Sequence, residues 1–343
     1  MEPEKIRSGV EGNSLKKVCT IGGGTGNFVV LRGLKHYPLE LSAIVSMSDD
    51  GGSTGVLRDE LGVLPAGDAR QCIVALSNSS RLMRNLMNYR FDSGGLKGHS
   101  FGNLFLSALE KITGSFERAI EETGKVLNMK GKVIPVTTEQ VRLQMVLNSG
   151  KVLEGEKEIY LSQEIEQGYK KISLIPHPEA NSLAIDEILN ADAIIIGPGG
   201  FYTSIIANLL VEGIAKAIKK THAVKIFVVN LMNRKGQTTG YKVSDHVKAI
   251  EGYLGEGIFD YVLVNNQEPE KELIEVYREE GELVRCDIQG PKIITAPMLG
   301  ELSEKSKGDL IERNLIRHDS KKLANEVMKI LAGIEEPCYS SLT

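Results

Sequence analysis

The sequence predicts an α/β fold: a doubly wound, mainly parallel, Rossmann-like sheet with helices on both faces and an inserted antiparallel hairpin element. Three observations lead there. Val- and Ile-rich runs at 18–21, 42–45, 193–196, 225–229 and 261–264 lack polar alternation, as strands covered on both faces do. Helical patterns at 28–34, 181–189, 203–218, 243–254 and 269–280 supply the crossovers that parallel strands need. Glycine-rich strings follow the first, second and third of the strand runs, where open α/β sheets bind ligands.

The strand and helix patterns place a single domain over 18–335, between a loose tail at 1–17 and a second tail at 336–343. Within it, 133–175 reads differently. Residues 141–147, the turn Asn148-Ser149-Gly150 and 151–153 form a hairpin pattern with further short extended pieces after it. Before it, 68–127 is mainly helical.

Composition narrows the function classes. Hydrophobic residues at 41% and charged residues at 25% are those of a globular chain, and a net charge of -4 builds no field for a nucleic-acid backbone. No apolar run approaches the ~20 residues that span a bilayer, so no membrane insertion is expected. Cys19, Cys72, Cys286 and Cys338 show no zinc or disulfide spacing, and a cytoplasmic location follows as the expectation.

The first candidate site is Gly22-Gly23-Gly24-Thr25-Gly26. Glycines let backbone amides approach a phosphate, and the helix after them turns its positive end toward the same point. Gly23, Gly24, Thr25, Gly26 and Asn27 are the candidate contacts. The string is not a dinucleotide fingerprint, because Asn27 stands where glycine is required, and no P-loop Lys-Ser/Thr follows; NAD is not expected.

The second is Ser48-Asp49-Asp50-Gly51-Gly52-Ser53-Thr54-Gly55. Asp49 lies about twenty residues past the glycine loop, where an acid can accept from a ribose hydroxyl. Alternatively, Asp49 and Asp50, with Asp68, hold magnesium through oxygen ligands against a diphosphate. A plain Asx turn is the third reading. The third string, Gly197-Pro198-Gly199-Gly200-Phe201-Tyr202-Thr203-Ser204, repeats the strand-glycine-helix logic, so Gly199, Gly200, Thr203 and Ser204 join the candidate phosphate cradle. Asn230, at a strand end, and Asn103, at a helix start, are candidate crevice residues. Tyr277 either stacks on a base or packs in the core.

Together the strings resemble the CofD-like (2-phospho-L-lactate transferase) family, over about 18–331. The resemblance rests on Ile21 to Gly26, Ser48 to Gly55, Pro65-Ala66-Gly67-Asp68-Ala69-Arg70, Gly98-His99-Ser100-Phe101-Gly102-Asn103, Gly197-Pro198-Gly199 and Arg317-His318-Asp319. Asp50-Gly51-Gly52-Ser53 and Pro65-Ala66-Gly67-Asp68 are closer to the YvcK-type gluconeogenesis-factor branch. That resemblance implies a regulator that binds UDP-N-acetylglucosamine, acts through a protein partner and supports cell shape and wall synthesis on gluconeogenic carbon; a homodimer is compatible with it. It also implies that Arg317 reaches the nucleotide sugar. The transferase branch implies instead a magnesium-assisted attack of a deazaflavin side-chain hydroxyl on guanosine diphosphate-linked phospholactate. Two departures stand out: Gly200 replaces the family's serine, and a chain with 5% aromatic residues and no Trp offers little to stack on a deazaflavin.

Overall fold

The computed structural model describes residues 15–300 and 316–333. The C-terminal tail expected at 336–343 lies outside the described residues, and so does most of the N-terminal one. Its last two residues, Lys16 and Lys17, already belong to the first strand.

The chain runs through β1 (Lys16–Gly22), α1 (Gly24–Leu34), β2 (Leu39–Val45), α2 (Gly52–Leu61), α3 (Ala66–Leu76), α4 (Arg81–Asn88), α5 (Phe101–Thr113), α6 (Phe116–Val126) and β3 (Lys132–Pro135). β4 (Arg142–Leu147), β5 (Val152–Glu154), α7 (Glu156–Leu161) and β6 (Tyr169–Ile175) come next, then α8 (Ser182–Leu189) and β7 (Ala193–Ile196). A wide π turn (Phe201–Ile206) leads into α9 (Ala207–Leu209), α10 (Ile214–Lys220), β8 (Val224–Val228), α11 (Val243–Leu254), β9 (Tyr261–Asn265), α12 (Lys271–Tyr277), β10 (Ile293–Ala296) and α13 (Ser320–Leu331).

The main sheet is parallel, with strand order β10-β9-β8-β7-β1-β2-β3. From β1 the chain winds outward through β2 to β3; from β7 it winds the other way to β10. The direction therefore reverses between β1 and β7, which pair from Val18↔Ala193 to Ile21↔Ile196. Every residue of β7 is buried, as are the last five of β1, which is why both runs are apolar without alternation. On one side α1 packs against α3 and α13. The doubly wound expectation holds.

The antiparallel element is a separate three-stranded sheet, β5-β4-β6, whose central strand alternates buried residues with exposed or half-buried ones. The hairpin turn at 148–150 closes through Gly150 N–H donating to Leu147 O at 2.9 Å, with Gly150 at φ +92°. Residues Lys132–Pro135 belong to the main sheet instead, pairing with β2, so the antiparallel part starts after Pro135. The helix expected over 203–218 is broken. Asn208 donates through Nδ2 to both Ser204 O (2.7 Å) and Gly22 O (3.0 Å), and Gly213 at φ +100° restarts the chain as α10.

Candidate functional site

At the carboxyl ends of β1 and β7, the point of reversal opens into a cavity of about 860 Å³. α1 and α2 both begin at its wall. Their N-caps, Gly23 and Gly51, provide no side-chain cap; in α2 the Thr54 amide turns back to Gly51 O at 3.1 Å, which leaves the amides of Gly52 and Ser53, and in α1 those of Gly24, Thr25 and Gly26, for another acceptor. Local sequence explains this arrangement: a strand ends in glycines, and the helix starts inside the glycine string rather than after it.

Close packing holds the loops together. A methyl group on Gly26 would run into the Pro198 carbonyl, and one on Gly23 into the Ser204 side chain. One on Gly24 would come within 2.7 Å of Asp68 Oδ1. Gly23, Gly24, Thr25, Gly26, Asp49, Asp68, Asn103, Gly199, Gly200, Thr203, Ser204, Asn230 and Arg317 all line the cavity.

Several of these play a different part from the one expected. Asn230 and Gly199 exchange two hydrogen bonds: Gly199 N–H donates to Asn230 Oδ1 (3.0 Å), and Asn230 Nδ2 donates to Gly199 O (2.8 Å). Asn230 thus holds the third loop in place and occupies the Gly199 amide that had been expected to face a phosphate. Asn103 is buried at the start of α5; it accepts from Arg70 Nε at 2.9 Å and donates to Ser53 and Thr54 at 3.4 and 3.3 Å, tying α5 and α3 to the first turn of α2. Thr25 donates to Gln71 at 3.1 Å.

Three expected site residues do not line the cavity. Asn27 is fully buried under α1, donating to the Ile44 carbonyl at 3.4 Å, because the helix begins three residues earlier and turns it inward. Tyr277 packs in a small core with Leu231, Met232 and Ile316, behind the cavity wall. Asp50 turns toward the inserted element: Oδ1 accepts from Lys157 N–H at 2.8 Å, and Oδ2 lies 3.5 Å from Arg142 Nη1.

Asp49 accepts from Gly51 N–H at 2.9 Å, an Asx turn, while its other oxygen packs against Gly67. Glu156 from α7 joins it. Burial first, then the charge and hydrogen bond of Asp49, then the charges of Asp68 and Asp50, hold the Glu156 carboxyl well above the usual range. Asp49 and Asp68 are hard oxygen donors beside the glycine loops, and two such carboxylates would suit a magnesium ion that keeps most of its coordination for other ligands and water. Among the described residues no group of three or more His, Cys, Asp or Glu is arranged to hold a metal.

The inserted element supplies a whole wall through Glu156, Lys157, Tyr160, Leu161 and Gln163, and the segment after β8 adds Arg234 and Lys235. None of these carried a sequence signal, since no glycine string or strand end marks them. Arg70, in the Pro65 to Arg70 string, is buried and bound to Asn103 and Asn88. No helix among the described residues is long and apolar enough to cross a membrane.

Residues 18–299 match the family described as 2-phospho-L-lactate transferase CofD. A Thermotoga maritima protein, provisionally named a gluconeogenesis factor, is 45% identical over 92% of this chain and 99% of its own. The Bacillus subtilis gluconeogenesis factor is 41% identical over 92% of this chain and 98% of its own. A crystal structure of a UPF0052-family protein from Bacillus halodurans superposes with a TM-score of 0.83 at 38% identity, covering 92% of this chain and 99% of that one. Sequence, fold and the glycine-lined cavity thus agree, and the chain belongs to the CofD family, among the proteins named gluconeogenesis factors.

Proposed function

We propose that the protein is a cytoplasmic nucleotide-sugar-binding regulator whose ligand is UDP-N-acetylglucosamine, and that it acts through a protein partner to support cell shape and wall synthesis on gluconeogenic carbon. One observation carries the ligand class: two uncapped helix starts, α1 and α2, open with their glycine loops on one cavity at the point where strand order reverses. Backbone amides and helix dipoles favour phosphate there. At about 860 Å³ the cavity is within the usual size of a small-molecule site, and Leu231, Met232 and Ile316 give part of it an apolar lining for an uncharged ring. Arg317, on the same wall, pairs with phosphate in this reading. Magnesium, held by Asp49 and Asp68, would supply charge neutralisation to the diphosphate.

A second reading is the transferase, which the acidic group of Asp49, Asp68 and Glu156 beside the cradle favours. Calorimetric titration with UDP-N-acetylglucosamine, GDP and NAD, each with and without magnesium, separates the two. Tight binding of the UDP-sugar without turnover of phospholactyl-guanosine diphosphate supports the regulator. Turnover with a deazaflavin acceptor promotes the transferase, and binding of NAD alone rejects both.

A further inference from the structure

After β8 the chain leaves the sheet and contributes Leu231, Met232, Arg234 and Lys235 to the cavity. The two cations are held differently. Lys235 Nζ pairs with Glu279 at 3.4 Å. The Arg234 guanidinium lies 3.5 Å above the centroid of the Tyr160 ring and donates from Nε to Tyr160 O at 2.9 Å, and no carboxylate of the described residues pairs with it.

Arg234 is also held before any ligand arrives. Gln237 Nε2 donates to Ile159 O (3.1 Å) and Tyr160 O (2.7 Å), and Glu166 N–H donates to Gly236 O (2.9 Å). Gly236, at φ +78°, brings the two segments so close that a side chain there would meet Gln163. With one face on a ring and Nε engaged, the guanidinium keeps its Nη edge for a bidentate partner, and little side-chain freedom remains to be lost. The surrounding cavity carries Asp49, Asp68, Glu156, Glu279 and Glu280. Arg90, Lys157, Lys235 and Arg317 line the same cavity and the helix starts add about half a charge each; Arg234 adds to them a cation seated on a ring with its Nε already engaged.

We infer that Arg234, pre-aligned on Tyr160, takes the ligand's diphosphate from the wall built by the inserted element and so sets the preference for a diphosphate over a monophosphate. The inference rests on the nucleotide-sugar reading and deepens it. It makes the antiparallel insert part of the binding site, because the ring and carbonyl that orient Arg234 belong to α7.

The test is calorimetry on the full chain at low and high salt, with UDP-N-acetylglucosamine, inorganic pyrophosphate and inorganic phosphate as probes. Arg234→Gln should bind the nucleotide sugar and pyrophosphate roughly tenfold more weakly, with a shallower salt dependence and little change for phosphate. Arg234→Lys should recover the salt dependence but only part of the affinity. A folded Arg234→Gln with wild-type affinity and salt slope overturns the inference. Should that variant not fold, Tyr160→Leu decides, and unchanged pyrophosphate affinity overturns it. Wild-type protein that binds pyrophosphate but not the nucleotide sugar sinks the nucleotide-sugar reading alone, leaving Arg234 to be judged on pyrophosphate. Binding of neither probe overturns both.

Discussion

Gly26, in the first turn of α1, lies directly against the carbonyl of Pro198 in the third glycine loop, with no room between them for even a methyl group. The contact joins the two chain segments that leave β1 and β7, so the cavity floor depends on that glycine lacking a side chain. Gly26→Ala must push the loops apart; overpacking of this kind costs about 1–3 kcal/mol. Thermal denaturation should show the loss, and calorimetry a weaker affinity for UDP-N-acetylglucosamine. Wild-type melting and binding would mean that the loops separate freely.

Asn230→Ala removes both hydrogen bonds to Gly199 and should destabilise the fold by about 1–3 kcal/mol. Asn230→Asp keeps the acceptor but loses the donor and adds a negative charge beside the cradle. It should weaken anion binding more than it lowers the denaturant midpoint. Equal effects of the two variants on binding would remove the charge argument.

Glu156 binds its proton more tightly in the folded state than the ordinary value of 4.5, so its contribution to stability is present below that value and is lost as pH rises through the higher folded one. Glu156→Gln should therefore melt above wild type at pH ~8 and lose that advantage toward pH ~5. Parallel melting curves for the two proteins across that range would show that the carboxyl is not held neutral.

His246 and His318 behave in the opposite sense. Burial lowers each to about 4 from 6.5, so both stay neutral while the unfolded chain takes up protons. Stability is then full above 6.5 and lost as pH falls toward 4, by up to ~3 kcal/mol for each group. His246→Gln, which keeps a donor toward Asn233, should remove about half of that acid-side slope in denaturant titrations at stepped pH.

The acids can be told apart. Asp50 holds Lys157 and Arg142, so Asp50→Asn should lower stability slightly, by about 1 kcal/mol or less, and leave any magnesium dependence of ligand binding intact. Asp49→Asn and Asp68→Asn should reduce that dependence. The reverse pattern would reassign the metal to Asp50.

The parallel sheet, the hairpin turn at 148–150 and the three glycine loops could be read directly, because each is a local pattern: an uninterrupted apolar run, a turn string, side-chain-free residues after a strand. β3 and β10 were harder to read. They are edge strands of four residues, and unlike β7, which is as short, neither is an uninterrupted apolar run buried throughout.

What the sequence determined by itself was that glycine-rich loops cluster at strand ends of an α/β fold, since backbone reach and strand burial follow from residue type alone. Tertiary structure alone decided which side chains face the cavity. Asn27 turned inward, Tyr277 went to the core, Asp50 crossed to the insert, and Glu156 and Arg234 entered the site from segments more than 100 residues away from Asp49 and Asp50. Orientation of that kind is set by packing between elements distant in the chain, which no local spacing records.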